Sequence, residues 1–345
     1  KQRYNKLMKL VSMNHKILLC LFSLLLFTSN SYSCTTILNE SPVVNRITVR
    51  NQDGLGWCYS YVAADLLSYK TGKKISAIGL VRPGIYFDIV IPRERISGFT
   101  AKKTLDFIKS QKNLCLESEI NSSEYLISRD NKISPTLYLH DILSDIQKIY
   151  QEGREVIRQN IVADEKNLPT RCLSSKSMQR LNEIFPGVTC KTVLEIVSAY
   201  TKQGFLDQLI RKSCQSFKVP KFEAVTTYNT EYFIFDKDLV KDIDQALESK
   251  TIAGIGYNYA RITNMKGEAN HASLVVGRRL NPKTKQCEYL IRNSHGKNCS
   301  ARNPESRCDT SCANDFNKNC QRENGYFWVT KRLLQEMTYS VTVVK

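Results

Sequence analysis

Histidine is scarce in this chain of 345 residues, with four in all: His15, His140, His271 and His295. Any chemistry that moves protons through imidazole therefore has few carriers to choose from. Acid is short as well, with 33 Asp and Glu against 50 Lys and Arg and a formal net charge of +17. That excess favours anionic partners such as envelope polymers, lipid head groups or acidic proteins. No nucleic-acid motif accompanies it, so specific nucleic-acid binding is not expected. Internal repeats and low-complexity runs are missing too. No apolar run reaches the roughly 20 residues that a membrane-spanning helix needs. What remains is an ordinary globular balance, 42% hydrophobic and 24% charged, in a chain long enough for a substantial core.

The longest apolar run, Ile17 to Phe27, follows Lys9 and Lys16 and precedes the small residues Ser31 and Ser33. This is the pattern of a secretory signal peptide over residues 1–33, with Met13 as the expected start. The first 33 residues hold five Lys or Arg and no acid, which leaves the rest of the chain at +12. Export agrees with the cysteines. Of twelve, Cys20 leaves with the signal, and setting Cys58 aside leaves an even ten, enough for up to five disulfides in an oxidising compartment. Cys299, Cys308, Cys312 and Cys320 cluster in a polar segment and read as a disulfide-stapled insertion over about 297–323. They lack two Cys-x2-Cys pairs, so zinc is not expected, nor is any other metal or cofactor. Lipidation of Cys34 is the less favoured alternative to a free exported protein. With processing after Ser33, Cys58 becomes residue 25. That leaves no room for an N-terminal inhibitory propeptide, so localisation or a separate protein inhibitor would have to provide restraint.

The segment Asn51-Gln52-Asp53-Gly54-Leu55-Gly56-Trp57-Cys58-Tyr59 places a side-chain amide six positions ahead of a cysteine. Val62, Leu66 and Tyr69 then recur at helical spacing up to Gly72, which predicts a helix opened by Cys58. A thiol at a helix N-terminus beside an imidazolium is expected to have a lowered pKa, roughly 3.5–7.5. Gln52 and the Cys58 backbone N–H would then donate to the oxyanion of a tetrahedral intermediate. Downstream, His271 leads the apolar stretch Ala272 to Gly277, and Asn293 follows the run Tyr289 to Ile291. Both read as strand-associated.

These segments resemble the papain-like cysteine peptidases. Gln52 to Tyr59 is similar to the nucleophile segment, Asn270-His271-Ala272 to the histidine segment, and Arg292-Asn293-Ser294 to the asparagine segment. Glu323-Asn324-Gly325-Tyr326 is similar to the strand that comes next in the family. The resemblance covers about 34–115 and 226–340. It implies an α+β fold of two lobes, a helical one carrying the nucleophile and an antiparallel β-barrel-like one carrying histidine and asparagine. Cys58 would attack a carbonyl, His271 would take and return the proton, and Asn293 would orient the imidazole. Gly98 and Asn270 are the substrate-contact candidates. Two departures stand out. Leu55 and the stretch Arg93 to Phe99 lack the cysteines of a usual family bridge. His295 stands where the family has a tryptophan that shields the histidine–asparagine bond, which leaves that shield in doubt and admits His295 to proton transfer.

The expected organisation is a signal at 1–33, a helical lobe at 34–225 and a β-rich lobe at 226–345. Between Cys58 and His271 the chain is longer than the family's, and the excess, about 116–225, reads as a helical insertion. Amphipathic helices are expected from Pro135 through Tyr150 and at Lys176 to Phe185, Lys191 to Gln203 and Phe205 to Lys212, with Gly204 as punctuation. Cys172, Cys190 and Cys214 could staple them. Tyr232 to Phe235 and Ile252 to Tyr257 read as strands around a helix at Lys237 to Ser249. The expected function is an exported cysteine endopeptidase acting on a peptide or protein substrate. The alternatives are an amidase or transpeptidase of envelope peptides, and a papain-fold binding protein without catalysis.

Overall fold

The computed structural model describes residues 34–38, 49–50, 57–81, 101–120, 122, 138–165, 171–228, 238–267, 269–294, 301–308 and 325–345. The chain divides into two units, residues 1–35 and 36–345. Of the first, Cys34 and Thr35 are described, and Cys34 is disulfide-bonded. All the elements below belong to the second, which is α+β.

Helix α1 (Cys58–Thr71) contains no glycine or proline. It stops where Gly72 turns left-handed at φ 69° and donates its N–H to the Ser68 carbonyl. Every residue from Tyr59 to Ser68 is buried, as expected of a helix enclosed on all sides. Its two buried serine hydroxyls find carbonyl acceptors: Ser60 donates to the Ala77 carbonyl and Ser68 to that of Ala64. Helix α2 (Ala101–Lys109) packs beside it and turns Leu105 and Ile108 inward.

Eight strands form one antiparallel sheet among the described residues: β1 (Ile37–Leu38), β4 (Ala224–Tyr228), β5 (Ala253–Asn258), β6 (Asn270–Leu280), β7 (Cys287–Arg292), β8 (Ser306–Cys308), β9 (Tyr326–Thr330) and β10 (Thr338–Val344). Their order is β4-β10-β5-β6-β7-β9-β8, with β1 paired to β6. The sheet is open rather than barrel-like. β4 and β8 end the path, and no ladder joins them among the described residues. Both faces are buried along the central strands. Leu274 and Val276 of β6 join the core around α1, whereas Val275 joins a second core with α7 (Leu239–Glu248) and α9 (Lys331–Met337). This is the period-2 alternation of a strand covered on both sides. A short helix, α8 (Ala260–Thr263), follows β5.

The stretch between α2 and β4 is mostly helical: α3 (Tyr138–Glu165), α4 (Ser175–Ile184), α5 (Cys190–Ala199) and α6 (Lys202–Ser213). Ser174 and Thr189 cap α4 and α5 by accepting the N–H groups of Ser177 and Thr192. A disulfide, Cys172–Cys190, ties the lead into α4 to the first residue of α5. A second, Cys115–Cys214, ties the end of α6 to the small ladder of β2 (Asn113–Leu114) and β3 (Phe217–Lys218). The expected helix Lys191 to Gln203 is shorter and is followed directly by α6. Tyr200 is extended and Thr201 leads α6, so the break falls there and Gly204 lies inside the helix. A Cβ at Gly204 would sit 3.3 Å from that of Tyr200, so close approach rather than a turn accounts for this glycine. The strand expected at Tyr232 to Phe235 and the signal segment lie outside the described residues.

Helix α1 seats on β5 at Gly254, where a Cβ would meet Val62 Cγ1 at 2.7 Å and Leu66 Cδ1 at 3.2 Å. Gly254→Ala should therefore lower stability by about 1–3 kcal/mol, the usual cost of overpacking. Urea unfolding checks this, and an unchanged midpoint would contradict the seat.

Candidate active site

Cys58 is the first residue of α1, and the Trp57 carbonyl accepts from the N–H groups of Ser60 and Tyr61 to start the helix. Its thiol is free, while Cys34, Cys115, Cys172, Cys190, Cys214, Cys287 and Cys308 are disulfide-bonded. The sulfur lies against β6 and takes the N–H of Ala272, the residue after His271. The residue as a whole keeps part of its surface open to solvent, while its thiol is densely surrounded.

Burial pushes this thiol up to about 11, against the pull of the Ala272, Tyr59 and Cys58 backbone N–H groups. The sequence expectation of a lowered pKa is corrected here. Desolvation penalises an isolated thiolate more than the helix terminus stabilises it.

His271 is buried, and its Nε2 lies 2.8 Å from Asn293 Oδ1. Strand pairing produces this contact: β6 carries His271, and β7 ends at Arg292 with Asn293 next to it. An amide oxygen only accepts, so Nε2 holds the proton and Nδ1 is the nitrogen that can take another. The Asn293 oxygen also receives the Ser294 N–H at 2.8 Å and the Ser273 hydroxyl at 3.3 Å. Aromatic rings enclose the imidazole. Tyr257, opposite His271 on β5, stands edge-on at 5.6 Å, and Tyr259 lies at 5.2 Å. The β10 register shifts between Thr338 and Ser340, and Tyr339, the residue between them, donates to the His271 carbonyl at 3.5 Å. Tyr257 and Tyr259 thus provide aromatic cover from β5 and the turn after it.

A buried charge cluster ties the site's elements together. Asp65, two turns along α1 from Cys58, lies 3.3 Å from Arg50 and 3.7 Å from Arg292, the neighbour of Asn293. Arg50 also donates to the Ile75 carbonyl and approaches Glu117 at 3.8 Å. One carboxylate therefore joins α1, the segment leading towards it and the strand that precedes Asn293. Its sequence signal was a single acid within the apolar run Tyr59 to Leu67.

Structure thus brings Cys58, the His271 strand and Asn293 together. Asn270 is exposed at the start of β6. Gln52, Gly98 and His295 lie outside the described residues, as do Cys299, Cys312 and Cys320. His140 falls in α3. The sequence reading missed Tyr257, Ser273, Asp65 and Arg292. No group of three metal-ligating side chains occurs among the described residues.

No family model matches the chain, and no curated protein matches it. Solved structures do show a likeness. SERA5E from Plasmodium falciparum is 13% identical at a TM-score of 0.40, over 89% of this chain and 93% of that one. Digestive procathepsin L 3 of Tenebrio molitor larval midgut is 10% identical at 0.41, over 92% and 71%. The Amb a 11 cysteine protease, a major ragweed pollen allergen, in its proform, is 11% identical at 0.39, over 92% and 66%.

Two outcomes are expected. Burial raises this thiol and His271 is the base expected to take its proton, so His271→Ala should slow iodoacetamide labelling of Cys58 at neutral pH. Coincident pH profiles for the parent and the variant would contradict the coupling. Asp65→Ala leaves two guanidinium groups buried around a lost partner and should cost about 3–5 kcal/mol in denaturant unfolding. A loss below 1 kcal/mol, the range of exposed pairs, would show that the cluster is not buried as described.

Proposed function

We propose that this protein is a papain-like cysteine peptidase that cleaves peptide bonds through a thioester on Cys58. The observation that carries this reading is a free, crowded thiol at a helix N-terminus, packed on a strand whose histidine is oriented through Nε2 by an asparagine amide. Cys58 loses its proton to His271 Nδ1 as its sulfur attacks the carbonyl carbon. The carbonyl π pair moves to oxygen, where the Cys58 backbone N–H and Gln52 stabilise it. Collapse of the tetrahedral intermediate breaks the C–N bond, and His271 passes its proton to the departing amine. Water, deprotonated by His271, then hydrolyses the thioester. Asn293 keeps the imidazole in one tautomer throughout.

Gly98 and Asn270 are proposed to contact substrate backbone. Among the described residues, disulfide-bonded cysteines beside one free thiol suit an oxidising compartment, and an exported protein released after residue 33 fits them. The disulfide at Cys34 also occupies the thiol that a lipid anchor would need. The basic surface suits an anionic envelope setting. A separate protein inhibitor is the proposed restraint.

Peptidyl epoxide labelling followed by peptide mapping tests this reading. The adduct should be confined to Cys58 and abolish peptide hydrolysis, and Cys58→Ala and His271→Ala should both lose turnover. Hydrolysis that survives in either variant would overturn the mechanism. A folded protein that takes no label at Cys58 would favour the binding-protein alternative. Transfer of the acyl group to an added amine in preference to water would favour the transpeptidase.

A further inference from the structure

A second tier of hydroxyl groups stands behind the His271–Asn293 pair. The Tyr257 hydroxyl lies 3.0 Å from Ser273 Oγ, and Ser273 Oγ lies 3.3 Å from Asn293 Oδ1. Tyr257 and Ser273 are almost fully buried, so bulk water does not compete for these groups. The direction of every proton in the row follows from valence. Asn293 Oδ1 has no proton to give, so Ser273 donates to it. Serine has a single hydroxyl proton, so the bond between Tyr257 and Ser273 is donated by the phenol. Burial raises the phenol well above its ordinary pKa and keeps that donor protonated. Asn293 Oδ1 therefore receives three donors: His271 Nε2–H, Ser273 Oγ–H and the Ser294 N–H. A turned carboxamide would face all three with an NH2 group, so the amide is held one way round.

We propose that Ser273, aligned by Tyr257, is a positioning residue that locks the Asn293 carboxamide and thereby fixes His271 as the Nε2–H tautomer, leaving Nδ1 to exchange the Cys58 proton. The catalytic half of this inference rests on the peptidase reading; the tautomer half does not. The row comes from sheet register. His271 and Ser273 are two apart on β6, and Tyr257 faces His271 across the β5–β6 ladder. The Tyr257 ring meets the imidazole edge-on while its hydroxyl reaches past it to Ser273. One side chain thus supplies both aromatic cover and the first donor of the row.

The test uses the full chain with Ser273→Ala, Ser273→Thr and Tyr257→Phe, folding being checked by circular dichroism. Tyr257→Phe keeps the ring on His271 and removes only the hydroxyl, so it carries the test if Ser273→Ala fails to fold. Histidine nitrogen NMR reads the tautomer, and kcat and KM on a peptide substrate read the function. The parent should show His271 as Nε2–H. Ser273→Ala and Tyr257→Phe should show admixture of the Nδ1–H tautomer, with kcat falling about 10-fold or more, as for other outer-shell partners, and KM nearly unchanged. Ser273→Thr keeps the hydroxyl and should recover both readouts. An Nδ1–H parent, or an unaltered tautomer in folded Ser273→Ala and Tyr257→Phe, would overturn the lock. A shifted tautomer with an unchanged kcat would overturn its role in turnover. If the parent is inactive but its tautomer shifts in both variants, the lock stands and the peptidase reading falls.

Discussion

The close seat of α1 on the sheet is the constraint from which the site follows. Glycine at 254 lets Val62 and Leu66 approach β5 to within the space of a missing methyl. At that distance the first residue of α1 brings its sulfur to the Ala272 N–H of the neighbouring strand. A helix lifted by one side chain would leave the thiol away from the histidine strand. Asp65 secures the same seat electrostatically, since its partners Arg50 and Arg292 lead to the segment before Cys58 and to Asn293.

The enclosure has an electrostatic consequence. A packed helix start raises the thiol rather than activating it, so helix position alone does not make Cys58 reactive. In the proposed peptidase mechanism activation falls to the imidazole, which must present the right nitrogen. That requirement explains why so much of the surrounding chemistry is devoted to Asn293 Oδ1, which accepts from His271, Ser273 and Ser294. Tyr257, Tyr259 and Tyr339 gather at the same histidine, from β5, the turn after it and a β10 irregularity.

Much of this was legible in the sequence, because local pattern carries it. The start of α1 at Cys58 and its stop at Gly72 could be read from helical spacing and a capping glycine. α4 and α7 emerged within one or two residues of their expected spans, and α1 ended as expected. The strands bearing His271 and Tyr289 were visible as apolar runs, although β6 and β7 extend further on both sides. What escaped depends on pairing between distant segments. Ser273 is unremarkable until register sets it beside Tyr257 and Asn293. Arg50, Asp65 and Arg292 carry no signal of their own, because a linear sequence does not show that they share one buried place. The partner of Cys115, 99 residues away at Cys214, is hidden for the same reason. Gly204 misled because a glycine needed for close approach looks the same as one that ends a helix.

The account's central claim is that Cys58 carries the acyl group of a cleaved substrate. Acid quenching during turnover of a slow peptide ester, followed by intact-mass analysis and peptide mapping, tests it most directly. The account predicts a mass increase equal to the acyl group, confined to the Cys58 peptide, labile to hydroxylamine and missing from Cys58→Ser digested in parallel. Steady ester hydrolysis by folded protein with no acylated Cys58, or with the acyl group on another residue, would contradict it.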